Sequence, residues 1–406
     1  MQFTLEHTLI RPKGIIKQEP EDFIVEEIMP DGTMLEIDKK IEREDKQGKF
    51  LYFILQKKQW STEGAISRIS RGLHAKSKRF NWAGTKDKQA ITTQLVSGFA
   101  IPKKALQNLK LKDIQINGMW LEDKKLNLGD LLGNKFKIKI SDLEENSEDK
   151  IKAINEQLNG KFVNYFGEQR FGTIRQNTHI IGQNIIIEDY EQAVKEFLTN
   201  SEGEINEEAK QARINLKESL NYRKALEEFP RYLRLERTMI EWLNKYPNDY
   251  VGALRKIPRG ISLLFMHAFQ SYLFNLELSE RVKIKDYEAK ENEYYCDLNS
   301  YGFPDIDKKI NTSIENKKDS EKILCSNIIG YESQTNEIED KLLAQFNITK
   351  ENFKLKQFQE LSSKGTYRPF FSTYKDFEFI SDSNHLSVSL SSGVYATVLL
   401  ETLFQL

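Results

Sequence analysis

Cysteine is scarce in this sequence: Cys296 and Cys325 are the two it has. Two thiols cannot build a disulfide framework, nor can they supply a four-cysteine zinc site. The simplest compartment for such a chain is a reducing one, the cytoplasm. No apolar run approaches the roughly 20 residues that cross a bilayer, so no membrane association is expected. The first dozen residues mix Glu6, His7 and Arg11 among apolar ones, which does not read as a signal peptide. There is no excess of charge either, because 60 basic residues face 61 acidic ones for a net −1. That excludes a polybasic nucleic-acid binder, but not an enzyme with a local basic cleft. The five histidines (7, 74, 179, 267 and 385) show no ligand spacing. Glycine-rich phosphate loops, Gly-x-Gly-x-x-Gly and His-Glu-x-x-His are all missing, so neither a metal nor a cofactor is implied. The sequons at Asn311 and Asn347 are read as chance matches.

What is present is a globular composition, with 39% hydrophobic and 30% charged residues in 406. At roughly 150 residues per domain that suggests two or three domains. The first 140 residues read mainly as strands. Phe23 to Val25, Phe50 to Leu55, Arg79 to Ala83 and Ala90 to Val96 are β-prone. Phe136, Ile138 and Ile140 alternate with lysines, as a half-buried strand requires. Ser61 to Gly64 offers capping residues before Ile66, Ile69 and Leu73 at helical spacing. Asn117-Gly118 predicts a two-residue hairpin. Helical patterns then dominate from Gln176 to Thr199, Asn206 to Leu220, Leu235 to Tyr246 and Leu263 to Arg281. Residues 284–350 are polar and broken, and read as surface elaboration. Strand character returns at Thr373 to Ile380 and His385 to Leu390. Strands at both ends around a helical middle predict an α+β protein, one β-rich domain whose terminal strands share a sheet, interrupted by an insertion.

Three segments could carry chemistry. Arg71 to Ala90 has a local charge of +5, with Phe80 and Trp82 interleaved. Cations contact phosphates and aromatic faces stack on bases, so Lys76, Lys78, Arg79 and Lys88 are candidate RNA contacts. A solvated charged face has the same composition. Asp87 lies between Lys86 and Lys88 on a loop after Gly84. Neighbouring ammonium groups favour an ionised carboxylate, and a loop lets substrate reach it, as a nucleophile or base needs. A turn aspartate paired with lysine fits the same pattern. Asn164 to Gly172 packs aromatics, amides and two glycines into nine residues, with Arg170 among them. Amides read base edges and aromatics stack on them, although a glycine-kinked strand would look similar.

These segments together resemble the TruD family of pseudouridine synthases, which modify uridine 13 of tRNA. Lys17-Gln18-Glu19-Pro20-Glu21-Asp22-Phe23 resembles the family's N-terminal motif, and Ala83-Gly84-Thr85-Lys86-Asp87 its catalytic motif. Leu128-Gly129 with Gly133-Asn134-x-Phe136 matches the next element, and Asn164 to Gly172 the Asn-Tyr-Phe-Gly motif. Ala268 to Asn275 resembles a helix of archaeal and eukaryotic members, and Gly393 to Thr397 the C-terminal motif. The compact length resembles an archaeal-type member. Val163, Ser391 and Leu400 depart from the family, which often has Pro, Pro and Arg there.

The resemblance implies a catalytic domain over 1–185 and 368–406, built on a mostly antiparallel mixed sheet with flanking helices. A largely helical α/β insertion domain, the TRUD domain, would occupy 186–367. It makes Asp87 the catalytic residue and Lys17, Phe23, Lys86, Asn164, Phe166 and Tyr395 the substrate site. Either Lys17 or Lys86 is expected to pair with Asp87. No cofactor, no membrane and no obligatory protein partner is expected, and the chain should act on tRNA as a monomer. Two other readings fit parts of the pattern: an RNA-binding protein or tRNA chaperone with little catalysis, and a metabolic enzyme with a carboxylate nucleophile.

Overall fold

The structure, a computed structural model, describes residues 4–5, 8–290, 292–310 and 322–406. His7, Asn311 and the rest of the polar run to Ser320 lie outside the described residues. The chain separates into two compact units. One comprises His7–Phe162, Leu298–Pro304 and Ser372–Leu406, and the other Met1–Glu6, Val163–Asp297 and Asp305–Phe371. By packing, the divisions therefore fall at 162/163 and 371/372. The resemblance instead puts them at 185/186 and 367/368.

The strands, in chain order, are β1 (Phe23–Ile28), β2 (Phe50–Lys58), β3 (Phe80–Trp82), β4 (Ile91–Phe99), β5 (Ile114–Glu122), β6 (Gly133–Lys139), β7 (Lys161–Val163), β8 (Tyr294–Leu298), β9 (Pro304–Ile310), β10 (Ile323–Ile328), β11 (Thr366–Pro369), β12 (Phe371–Ile380) and β13 (His385–Ser391). Among the described residues, nine strands form one sheet in the order β5-β2-β4-β1-β6-β13-β12-β7, with β3 on β4. β1 runs parallel to β4, while β1–β6, β6–β13 and β12–β13 are antiparallel. The N-terminal and C-terminal strands thus share a sheet, as the sequence pattern predicts. The sheet is mixed and mostly antiparallel, and the protein is α+β.

One face of β2 shows how the core forms. Leu51, Phe53 and Leu55 point the same way by the two-residue repeat and are fully buried. They pack on Ala65, Ile66 and Ile69 of α1 (Thr62–Gly72), whose N-terminal Ser61 hydroxyl accepts from the Gly64 amide at 3.1 Å.

Asn117-Gly118 does not turn a hairpin. Both residues lie inside β5, where the register against β2 shifts between Phe53 and Leu55. The buried Asn117 side chain donates to Gln56, and its carbonyl accepts from the Ile41 amide at 2.9 Å. A Cβ at Gly118 would lie 2.1 Å from the Ile41 carbonyl oxygen. The glycine is needed for that close approach at a bulge, not for a turn.

The second unit is mostly helical. The span 176–199, expected as one helical stretch, is α4 (Thr178–Ile186) and α5 (Tyr190–Thr199), broken at Glu188 with φ 61°. The longest helix, Arg259–Ile284, buries residues along its length, among them Phe265, Phe269, Leu273 and Phe274. Gly182 of α4 lets it approach closely: a Cβ there would meet the Phe265 carbonyl oxygen at 2.0 Å. Residues 284–350 are more than surface elaboration. β8, β9, β10 and β11 form a second sheet in the order β11-β10-β8-β9, with Cys296, Ile323, Leu324 and Cys325 buried. Among the described residues no helix is long and apolar enough to cross a membrane.

Candidate active site

Asp87 sits on the loop between β3 and β4, and its side chain keeps 36% of its surface exposed. Lys17 supplies its partner, with Nζ 2.7 Å from Asp87 Oδ2. The lysine ammonium also lies 4.0 Å from the centre of the Phe23 ring, itself buried edge-on against Phe136. Phe23 is therefore the floor under the lysine, a favourable site for a cation over an aromatic face. Lys17 has φ 58°. A non-glycine residue held in that left-handed region carries strain of about 1–2 kcal/mol. Such strain tends to collect where a side chain must be aimed.

Lys86 does not pair with Asp87. Its Nζ turns inward to Glu27 Oε2 at 2.6 Å, and both side chains are almost wholly buried. Glu27 completes its bonding by accepting the Leu95 amide of β4 at 2.9 Å. The Lys86 amide donates to Thr62 Oγ1 at 3.0 Å, whose hydroxyl donates to Gln94 Oε1 at 2.8 Å. Gln94 Nε2 then donates to the Gly84 carbonyl at 3.0 Å, and the Gly129 amide donates to the Ala83 carbonyl at 2.8 Å. Gln94 of the central strand β4 is buried for this reason, as an anchor for a neighbouring loop, and Thr93 beside it donates to the Leu35 carbonyl.

Two residues that the sequence reading passed over belong to this set, Glu27 and Lys57. Lys57 is 1% exposed and donates to the Asp87 carbonyl at 2.8 Å and to the Lys86 carbonyl at 3.3 Å. Burial pulls its pKa down to about 8, with Asp87 opposing that shift, Lys86 adding to it and Glu63 opposing it. A sequence signal was available: Lys57 continues the Leu51, Phe53, Leu55 row, a core position by period.

Lys76, Lys78 and Lys88 are exposed. Arg79 is half-buried, and its guanidinium donates to the carbonyls of Phe99, at 2.8 Å, and Ala100. Tyr395 is half-buried at the start of the last helix, Ala396–Leu403.

Asn164, Phe166 and Arg170 come together in the helical unit. The Phe166 amide donates to Asn275 Oδ1 at 2.8 Å, and its carbonyl accepts from Asn275 Nδ2 at 2.9 Å. One asparagine amide thus satisfies both backbone groups of one residue. The Phe166 ring has the Arg368 guanidinium 4.1 Å from its centre, Arg170 at 5.4 Å, and Phe274 edge-on at 5.6 Å. Arg170 Nε donates to Ser271 Oγ at 2.9 Å. Arg368, also missed in sequence, donates to Asn164 Oδ1 at 2.7 Å and to its carbonyl at 3.1 Å, while Asn164 Nδ2 donates to the Pro369 carbonyl at 3.0 Å. The buried Asn164 side chain is therefore oriented by two partners. Among the described residues no three His, Cys, Asp or Glu side chains form a group able to hold a metal ion.

Comparison with known proteins matches residues 8–403 to the family model described as tRNA pseudouridine synthase D (TruD). A relative from Methanococcus maripaludis, described as tRNA pseudouridine synthase D 2, is 36% identical over 95% of this chain and 93% of its own. One from Methanococcoides burtonii, described as tRNA pseudouridine synthase D, is 32% identical over 95% of this chain and 92% of its own. A crystal structure of tRNA pseudouridine synthase D from Methanosarcina mazei superposes with a TM-score of 0.79 at 30% identity, covering 100% of this chain and 96% of that one.

Proposed function

Since the chain belongs to the TruD family of tRNA pseudouridine synthases, we propose that Asp87 is its catalytic residue and uridine 13 of tRNA its target. The reaction is the isomerisation of uridine to pseudouridine in tRNA. The N1–C1′ bond breaks, the uracil turns, C5 bonds to C1′, the C5 proton leaves and N1 takes up one proton. The atoms balance within the nucleotide, and no electron is gained or lost. The observation that carries the assignment is the Lys17–Asp87 ion pair at 2.7 Å on an anchored loop. A fixed, partly exposed carboxylate can attack C1′ or remove the C2′ proton.

The target base must leave its stack, at a cost of a few kcal/mol. By the family resemblance, Phe166 and Tyr395 are the aromatic residues assigned to the extruded base. Asn164, oriented by Arg368 and Pro369, offers an amide edge. Phe23 serves by seating Lys17, and Lys86 by tying the catalytic loop to Glu27. Lys76, Lys78, Lys88 and Arg170 are assigned to RNA phosphates, while Arg79 closes the end of β4 through the Phe99 carbonyl. The functional division we adopt is a catalytic domain over 1–185 and 368–406 and a TRUD insertion domain over 186–367. It assigns 163–185 to catalysis because Asn164 and Phe166 are argued to serve the base. The chain acts as a monomer, without an obligatory protein partner, in the cytoplasm with its tRNA.

The test is to incubate the purified protein with unmodified tRNA transcripts and map pseudouridine by position, beside Asp87→Asn. Pseudouridine at position 13, lost in the variant while tRNA binding persists, is the expected result. Pseudouridine undiminished in Asp87→Asn would overturn the catalytic assignment, and a product at another position would overturn the target.

A further inference from the structure

Among the described residues, Lys57 is a buried cation with no carboxylate as its hydrogen-bond partner. Taking an ammonium out of water is costly unless it is well bonded. Its position on β2 belongs to the core row of Leu51, Phe53 and Leu55, where an apolar residue would pack without that cost. The Lys57 ammonium spends its hydrogen bonds on main-chain oxygens of two consecutive residues, Lys86 and Asp87. Charge-assisted donors of this kind are about twice as strong as neutral ones.

We propose that Lys57 is a positioning residue for the reaction: its buried ammonium grips the carbonyls of Lys86 and Asp87 and so fixes the backbone that aims the Asp87 carboxylate. The proposal rests on the reading of Asp87 as the catalytic group. Thr62, Gln94 and Glu27 secure the loop through Gly84 and through the amide and side chain of Lys86. Those contacts act before the residue that reacts. Lys57 bonds the main chain of Asp87 itself, from the core side, while Lys17 holds the carboxylate from another segment. Catalytic geometry has little slack, since a displacement of about 1 Å can cost a hundredfold in rate.

The charged groups around Lys57 give the proposal a second signature. Asp87 and Lys86 face it from the loop, and Glu63 from α1. Glu27 of β1 reaches the same loop through its bond to Lys86. With a pKa of about 8, the ammonium is present at neutral pH and lost as pH rises through that value. The rate of the chemical step should therefore fall as pH rises through about 8.

The experiment compares the full chain with Lys57→Met, which keeps the unbranched stem and removes the donor. Single-turnover pseudouridine formation on tRNA transcript is measured across pH 6.5 to 9.5, alongside tRNA binding and thermal unfolding. The expected result is a rate lowered about a hundredfold, binding within threefold of wild type, and loss of the fall in rate above pH 8. Lys57→Gln retains a neutral donor and should show an intermediate rate with the same flattened profile. A folded Lys57→Met with the wild-type rate and profile overturns the proposal, and so does a rate loss matched by lost binding. If Lys57→Met does not fold, Lys57→Gln decides. A wild-type rate and profile, or unfolding of this variant too, gives Lys57 a purely structural part and overturns the proposal. Asp87→Asn, run in parallel, separates the two claims. If it stays active, the reading of Asp87 fails. If it is inactive while Lys57→Met behaves as wild type, only the inference about Lys57 fails.

Discussion

Replacing Glu27 by glutamine removes the negative partner of a lysine that has almost no water around it. The Lys86 and Glu27 side chains are 4% and 1% exposed, and their contact is 2.6 Å. Breaking a buried ion pair by removing one member costs about 3–5 kcal/mol, because the remaining charge is stranded. Glutamine can still accept from the Leu95 amide, so the Glu27→Gln loss should fall at the lower end, about 3 kcal/mol. Lys86→Met strands the carboxylate instead, at a similar cost. Removing both members leaves no stranded charge, so the double variant should be less destabilised than the sum of the singles by about 2 kcal/mol or more. Urea unfolding of the four proteins, followed by tryptophan fluorescence, closes the cycle. Trp82 and Trp120 lie in the same unit and report its unfolding. Costs that add within about 0.5 kcal/mol would refute the pairing as an energetic unit. A Glu27→Gln variant as stable as wild type would refute the claim that the lysine depends on it.

Lys17→Met removes the contact to Asp87 but leaves an apolar stem over Phe23. Single-turnover pseudouridine formation should fall about a hundredfold while tRNA binding persists, and an unchanged rate would show that the ion pair has no part in the reaction. His179 packs against Tyr272 and Phe171, and burial lowers its pKa to about 4 from an ordinary 6.5. The unfolded chain therefore binds this proton first, so stability should fall as pH drops from 6.5 toward 4, and His179→Phe should flatten that part of a urea-midpoint profile. Gly118→Ala brings a Cβ to 2.1 Å from the Ile41 carbonyl. It should destabilise the chain by about 1–3 kcal/mol in the same urea assay.

Much of the fold was legible because its elements are periodic. The β2 row and the helices of the middle segment show repeats of two and of 3.6, and their positions agree with the structure within a few residues. Failures came where a local rule met a distant neighbour. Asn-Gly is a hairpin signal when nothing lies above it, but Ile41 lies there and the pair becomes a bulge. The strands between 294 and 328 look like polar loop because buried polar residues in and beside them take partners from other elements. Asn327 donates to Glu339 on the helix Glu337–Gln345, and Glu293 receives Arg281 and Asn336. A polar residue satisfied by a partner remote in sequence leaves no apolar period to read.

The same physics separates what could be seen of the candidate site from what could not. A reactive carboxylate needs exposure, a loop and nearby cations, and those are local, so Asp87 stood out. Which lysine serves it is not local. Lys86 is adjacent in sequence, yet it turns to Glu27, 59 residues away, while Lys17 arrives from 70 residues away. The chain direction that carries Asp87 outward carries Lys86 into the sheet. Each buried charge then requires a counterpart, and each counterpart lies on a different element: Glu27 on β1 for Lys86, and the loop carbonyls for Lys57 on β2. The two buried cations thus secure a loop whose carboxylate, the proposed reactive group, is on the outside. Lys86 anchors it by a side chain and Lys57 by the main chain, so removing either should loosen the Asp87 loop by a different route. Comparing the pH–rate profiles of Lys57→Met and Glu27→Gln distinguishes those routes, because only the first removes the group that titrates near 8.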